Sequence, residues 1–152
     1  YNRFAAESTR FIQLRPESQK TNRPPPVAVV HAKAGHILGN CAAYDAFVLG
    51  GPHSCRGYNV GELGASRSFL EYAAELRVPV PYLNTHAFAF WERCTDLGSS
   101  KTVPGNPTEY YRRAGGGSSM GVGIKLGPVR AEYATDGNQA NGTTFVRFGE
   151  RF

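Results

Sequence analysis

Apolar and polar residues alternate with a period of two along most of this chain, the mark of strands rather than helices. Over 118–126, "SSMGVGIKL", Met120, Val122, Ile124 and Leu126 share one face, and Ser119, Gly121, Gly123 and Lys125 the other. Over 68–78, Leu70, Tyr72, Ala74, Leu76 and Val78 oppose Phe69, Glu71, Ala73, Glu75 and Arg77. Over 129–134, Val129, Ala131 and Tyr133 oppose Arg130, Glu132 and Ala134. The C-terminal "TTFVRFGERF", 143–152, sets Val146, Phe148 and Phe152 against Arg147, Gly149 and Arg151. Weaker alternation marks 3–15, 27–38 and 84–94. The pattern predicts an all-β protein of about seven strands and no helix.

Alternation by itself fits two solvents. In a soluble sandwich the apolar face is the core and the polar face meets water. In a membrane barrel the apolar face meets lipid and the polar face meets an enclosed lumen. The connections favour the barrel. Those at 39–66, 95–116 and 137–142 are long or glycine-rich, while 79–83 and 127–128 are short and carry Pro79, Pro81 and Gly127–Pro128. Outer-membrane barrels have short turns on one side and long loops on the other. The connection 16–26, with its "RPPP", is longer than that rule predicts. The polar faces carry small residues and both signs of charge, as a lumen wall would: Glu75, Arg77, Lys125, Arg130, Glu132 and Arg147.

Composition narrows the choice. The 152 residues amount to one domain, and 18 glycines with 10 prolines argue against a helical protein. No stretch reaches the roughly 18 apolar residues of a spanning helix, and no secretory leader pattern opens the chain. It starts at Tyr1, and its single methionine is Met120. An odd strand number and an open sheet would leave unpaired backbone groups in lipid, at several kcal/mol each. The expectation is therefore that residues 1–152 are the C-terminal portion of one transmembrane β-barrel domain, with further strands upstream. The net charge of +5 includes no run of five like charges, and the densest basic cluster is Arg112–Arg113, so no nucleic-acid partner is expected. Cys41, Cys55 and Cys94 are odd in number and lack a Cys-x-x-Cys spacing, which supports neither a disulfide framework nor a zinc ribbon. His31, His36, His53 and His86 show no metal-ligand spacing, "AGGGSSMG" at 114–121 lacks the lysine of a phosphate loop, and no nucleophile elbow occurs. Neither catalytic residues nor a cofactor or metal are expected.

One stretch fits neither strand nor turn: "GGPHSCRGYNVGELG", 50–64, with five glycines and a single arginine. It resembles the signature loop of the POTRA-barrel superfamily, which includes bacterial outer-membrane insertases, two-partner-secretion translocators and their organelle descendants. The family's hallmark is a (Val/Ile)-Arg-Gly-(Phe/Tyr) tetrad between two late strands, here Cys55-Arg56-Gly57-Tyr58 with cysteine in the aliphatic place. Glu75 followed by Pro79 also fits. The next strand's Phe-x-Asp-x-Gly is matched by Phe90-Trp91-Glu92-Arg93-Cys94, which keeps an acid and loses the glycine. The stretches "TDLGSSKTVPGNPTEYYRRAGGGSS", "GVGIKLGPVRAEYA" and "FVRFGERF" resemble the import-channel branch of the chloroplast outer envelope.

The resemblance implies a loop folded back into the barrel lumen. Arg56 would pair with the inner-wall acids Glu92 and Glu75, with Asp96 a further candidate. Gly57 would permit close approach, and Tyr58 would supply an apolar body with a polar tip. Cys55 would be a small apolar filler. Phe148 and Phe152, on the apolar face of the last strand, would belong to the C-terminal signal read during barrel insertion. Trp91, Tyr82 and Tyr133 would sit at membrane interfaces. The implied partners are upstream POTRA domains and N-terminal strands of the same protein, translocon GTPase receptors, inner-envelope translocon components, precursor proteins and membrane lipid. The implied place is the chloroplast outer envelope membrane, and the implied function is import of unfolded precursors. An insertase acting through the seam between first and last strands, and a soluble β-sandwich binding module, remain alternatives.

Overall fold

The computed structural model describes residues 1–15, 24–81, 85–105, 115–137, 142–150 and 152. Tyr82, Arg112, Arg113 and Arg151 lie outside the described residues. The strands are β1 (Asn2–Gln13), β2 (Val27–Leu38), β3 (Phe47–Leu49), β4 (Gly64–Ser66), β5 (Ser68–Val80), β6 (Thr85–Thr95), β7 (Gly116–Leu126), β8 (Val129–Asp136) and β9 (Gly142–Phe148). Seven form one sheet in the order β1-β2-β5-β6-β7-β8-β9, and β3 with β4 forms a separate pair. Every neighbouring pair in the large sheet is antiparallel. Among the described residues the sheet is a meander interrupted only by the β3–β4 hairpin, and β1 and β9 are its edges.

The two faces are inverted relative to a soluble sandwich. Outward-facing Met120, Val122 and Val146 are 53%, 57% and 64% exposed, whereas Glu75, Glu92, Arg130 and Glu132 are at most 2% exposed. Charged groups are almost never fully buried unless paired, and a broad apolar surface marks contact with something other than water. This is the arrangement of a barrel wall, with apolar residues toward lipid and charges toward the lumen. Gly121 and Gly123 sit on the inner face because aromatic rings cover them. A Cβ at 121 would lie 2.6 Å from the Phe90 ring, and one at 123 would collide with the Phe88 ring.

Three details depart from the sequence pattern. The β3–β4 hairpin was not expected, because strands of three residues are too short to display a period of two. Pro79 lies within β5, opposite His86, rather than in the turn. The β2 ladder reaches only to Arg77, so Pro79 sits where β5 is an edge on that side and needs no donor there. The third departure is at the C-terminus. Gly149 takes φ +87°, a conformation that favours glycine, and β9 ends before it. The alternation is inverted beyond that point. Phe148 is 80% exposed on the outer face, but Phe152 turns inward and stacks on His31 with ring centroids 4.4 Å apart. The expectation that Phe152 shares the apolar face is therefore corrected.

The sidedness can be tested on the whole barrel in lipid. Val122→Arg, at mid-strand on the outer face, is expected to destabilise by about 2–4 kcal/mol in reversible denaturant unfolding from vesicles. Unchanged stability would contradict a lipid-facing Val122.

Candidate functional site

The connection between β2 and β5 doubles back as the β3–β4 hairpin, and its tip, 50–63, lies against the inner wall. A nine-residue apolar cluster seats it: Ile37, Cys41, Phe47, Leu49, Cys55, Tyr58, Leu63, Phe69 and Cys94. Strand residues Ile37, Phe69 and Cys94 thus pack directly against loop residues. Local turns shape the tip, with Ser54 N–H donating to Gly51 C=O at 3.1 Å and Tyr58 N–H to Cys55 C=O at 3.2 Å. The Ser54 hydroxyl accepts from Gly50 N–H at 3.1 Å and donates to Glu71 on β5.

Arg56 is 1% exposed. Its backbone N–H and its Nε both donate to Glu92 on β6, the latter at 3.0 Å. Its Nη1 lies 3.4 Å from Glu75 Oε2 on β5 and 3.3 Å from Glu132 Oε1 on β8. The guanidinium carbon stands 3.3 Å over the Phe90 ring centroid, so a cation–π contact covers its face. One side chain therefore ties the loop to three wall strands. A planar, permanently charged fork of donors suits that task, and lysine would offer only a point charge.

The neighbours of Arg56 complete the anchor. A Cβ at Gly57 would lie 2.7 Å from the Thr135 carbonyl oxygen and 2.8 Å from Ser119 Cβ, so only glycine allows the loop backbone this close to β7 and β8. The Tyr58 hydroxyl donates to Ser118 C=O at 3.2 Å while its ring fills the apolar cluster. Ser119 Oγ donates to Glu92 Oε1 at 3.0 Å, which helps to hold the acid that receives Arg56. The thiol of Cys55 is fully buried in the same cluster.

A second layer of charge stands behind the first. Arg130, 0% exposed, donates to Glu75 at 2.6 Å and to Glu132, and its Nη1 donates to Glu150 at 2.9 Å. It stacks over Phe88 at 3.7 Å, as Arg56 does over Phe90. Arg77 donates to Glu75 at 2.8 Å, and Arg147 donates to Glu132 at 2.7 Å and to the loop carbonyl of Pro52 at 3.0 Å. Glu75 and Glu132 are each shared by three arginines, a continuous network from loop tip to barrel mouth.

The structure thus brings Arg56, Glu92 and Glu75 together. Asp96 serves elsewhere: its carboxylate accepts from Gly98 N–H at 2.8 Å and Ser100 N–H at 3.4 Å in the turn after β6. Glu132 and Arg130 are on the wall face that their parity indicates, but pattern alone did not assign them to Arg56. Glu150 had no such signal, because simple alternation puts it on the apolar face and the inversion at Gly149 brings it inside. Trp91 and Tyr133 project outward, 40% and 47% exposed, with Trp91 tilted against Tyr72 at 5.5 Å.

Removing one partner of a buried ion pair costs about 3–5 kcal/mol, because the other charge is left uncompensated. Arg56→Ala strands Glu92 in this way, and Gly57→Ala forces the loop off the wall by collision. Both variants are expected to expose 50–63 to limited proteolysis while the barrel wall stays resistant. A protease pattern unchanged from the parent in both would contradict the anchor.

Across residues 1–152 the chain matches the Omp85 superfamily domain. It is 57% identical to Protein TOC75-3, chloroplastic, of Arabidopsis thaliana, over all of this chain and 18% of that relative. It is 55% identical to Protein TOC75, chloroplastic, of Pisum sativum, over all of this chain and 19% of that relative. Similarity to Outer envelope protein 80, chloroplastic, of Arabidopsis thaliana is lower, 38% over 70% of this chain and 15% of that relative. The chain therefore spans less than a fifth of the length of these relatives. A tetrad-bearing loop anchored by a buried arginine inside an antiparallel wall, together with a match along its whole length, makes this chain a member of the Omp85 superfamily.

Proposed function

We propose that this chain is the C-terminal wall and inward loop of a channel that imports unfolded precursor proteins across the chloroplast outer envelope. The observation that carries the reading is the anchored loop within a charged inner wall, in a chain 57% identical along its full length to a chloroplastic TOC75 protein. The remaining barrel strands and the POTRA domains would be supplied by the rest of the same protein. Precursors would pass through the lumen with no chemical step performed on them. GTPase receptors of the translocon would act at its outer side and inner-envelope translocon components beyond it.

The physics of the wall suits transit. Its charges of both signs are mutually neutralised, so a passing chain meets weak, replaceable contacts. The apolar outer belt, with Trp91 and Tyr133 outward, meets membrane lipid, which favours amphipathic rings at its interfaces. Phe148, on that belt, and Phe152, turned inward, would belong to the signal read during barrel insertion.

In the full channel reconstituted in planar bilayers, Arg56→Ala is expected to alter single-channel conductance, and in isolated envelopes to lower precursor import, with the barrel still inserted. Conductance and import both equal to the parent would count against the loop's role. Locking the first barrel strand to β9 with an engineered disulfide separates this reading from an insertase. A lumenal importer keeps its transport rate, whereas an insertase working through that seam loses activity.

A further inference from the structure

Strand register sorts the wall's side chains into two faces, because residues paired across antiparallel strands point the same way. Among the described residues every acid of the seven wall strands falls on the inner face: Glu7, Glu71, Glu75, Glu92, Glu132 and Asp136. The outer face carries arginine without any carboxylate to balance it. Arg10 is on the edge strand β1, and Arg93 is near the end of β6. Arg93 and its cross-strand partners, Tyr72 on β5 and Ser118 on β7, form one outward row on the long-loop side of the apolar belt. Arg93 is exposed and the other two are half-buried, so the row is open to whatever surrounds the barrel.

Alongside this row the outer face is grooved. Small Ala74 stands opposite Trp91, and Ala89 stands between Leu76 and Val122. Together with Met120 these residues line an apolar depression of about 700 Å³. Trp91, which borders it, is two residues before Arg93 on β6 and lies against the Tyr72 ring at 5.5 Å. The groove therefore runs from the apolar belt up to a guanidinium, a hydroxyl and two amphipathic rings.

That sequence of groups matches the two-part chemistry of a phospholipid. An acyl chain fits the groove. A guanidinium fork takes a phosphate through two parallel charge-assisted bonds, and tyrosine and tryptophan favour the headgroup level. A neutral galactolipid could fill the groove but would leave Arg93 without a counter-charge on a face that has no acid.

We propose that this outer face binds one anionic phospholipid of the phosphatidylglycerol type. Its phosphate accepts from Arg93 and Ser118, and its acyl chain lies between Trp91 and Val122 over Ala74 and Ala89. The inference rests on the outer face meeting lipid and is independent of what passes through the lumen.

The test uses the full-length protein in digalactosyldiacylglycerol nanodiscs, with rising mole fractions of either phosphatidylglycerol or galactolipid brominated on the acyl chains. Bromine quenches nearby tryptophan, and subtracting a Trp91→Phe blank of each variant isolates Trp91. Half-quenching is expected at a mole fraction about tenfold lower for the brominated phosphatidylglycerol than for the brominated galactolipid, the scale of one hydrogen bond to a charged group. Arg93→Gln should bring the two curves together. Lys101→Gln, an equal change of charge at an exposed position in the loop after β6, should leave them apart. Heat-modifiability on gels verifies that each variant still forms a barrel. Coincident curves in the parent, a preference that survives Arg93→Gln, or one that Lys101→Gln also abolishes would overturn the proposal. Quenching by neither lipid would overturn the lipid-facing assignment of Trp91 as well.

Discussion

Taking a guanidinium out of water costs several kcal/mol, which a folded protein recovers only if carboxylates and further hydrogen bonds surround it closely. Arg56 meets that condition by touching Glu92, Glu75 and Glu132 at once and by resting on the Phe90 ring. The rest of the loop follows from this constraint. Gly57 has to lack a side chain so that the backbone can come within reach of β7 and β8, and Tyr58 and Cys55 have to fill the apolar space on the other side. The wall is constrained in turn, because each acid that receives Arg56 needs other donors, and Ser119, Arg77, Arg130 and Arg147 provide them.

The fold reverses the usual division of labour between core and surface. In a soluble domain the hydrophobic effect assembles the interior and polar groups face outward. Here lipid is the apolar phase, so the outer face can be Val, Leu, Met and Trp without cost, and the interior is held by charge and hydrogen bonds. The β3–β4 hairpin is the exception, since its cluster of Phe47, Leu49, Leu63 and Phe69 is an ordinary apolar core inside a polar lumen. That combination gives a loop with two independent fastenings, one apolar near its base and one ionic at its tip.

A single residue changes what the last strand contributes. Up to Phe148 the alternation sends apolar groups outward, but the left-handed turn at Gly149 swings Glu150 and Phe152 to the inside. Glu150 then joins Arg77, Lys125 and Arg130 at the mouth. The net result is that the end of the last strand is tied into the same charge network that holds Arg56, through Arg130.

Much of this was written in the linear sequence. Period-two alternation gave all seven wall strands within a few residues, because side-chain direction in a strand depends only on parity. It also placed Glu75, Glu92, Arg130 and Glu132 on one face, and the tetrad Cys55-Arg56-Gly57-Tyr58 singled out the loop. Parity does not say which solvent each face meets, and it does not say which charges on a common face touch. Those choices depend on strand order and register, which bring residues 76 positions apart, Arg56 and Glu132, and 95 positions apart, Pro52 and Arg147, within bonding distance. The tertiary structure alone decided the three-acid cage of Arg56, the short hairpin that carries it and the inward turn of Glu150 and Phe152, since each arises from contacts or a backbone dihedral that no local pattern encodes.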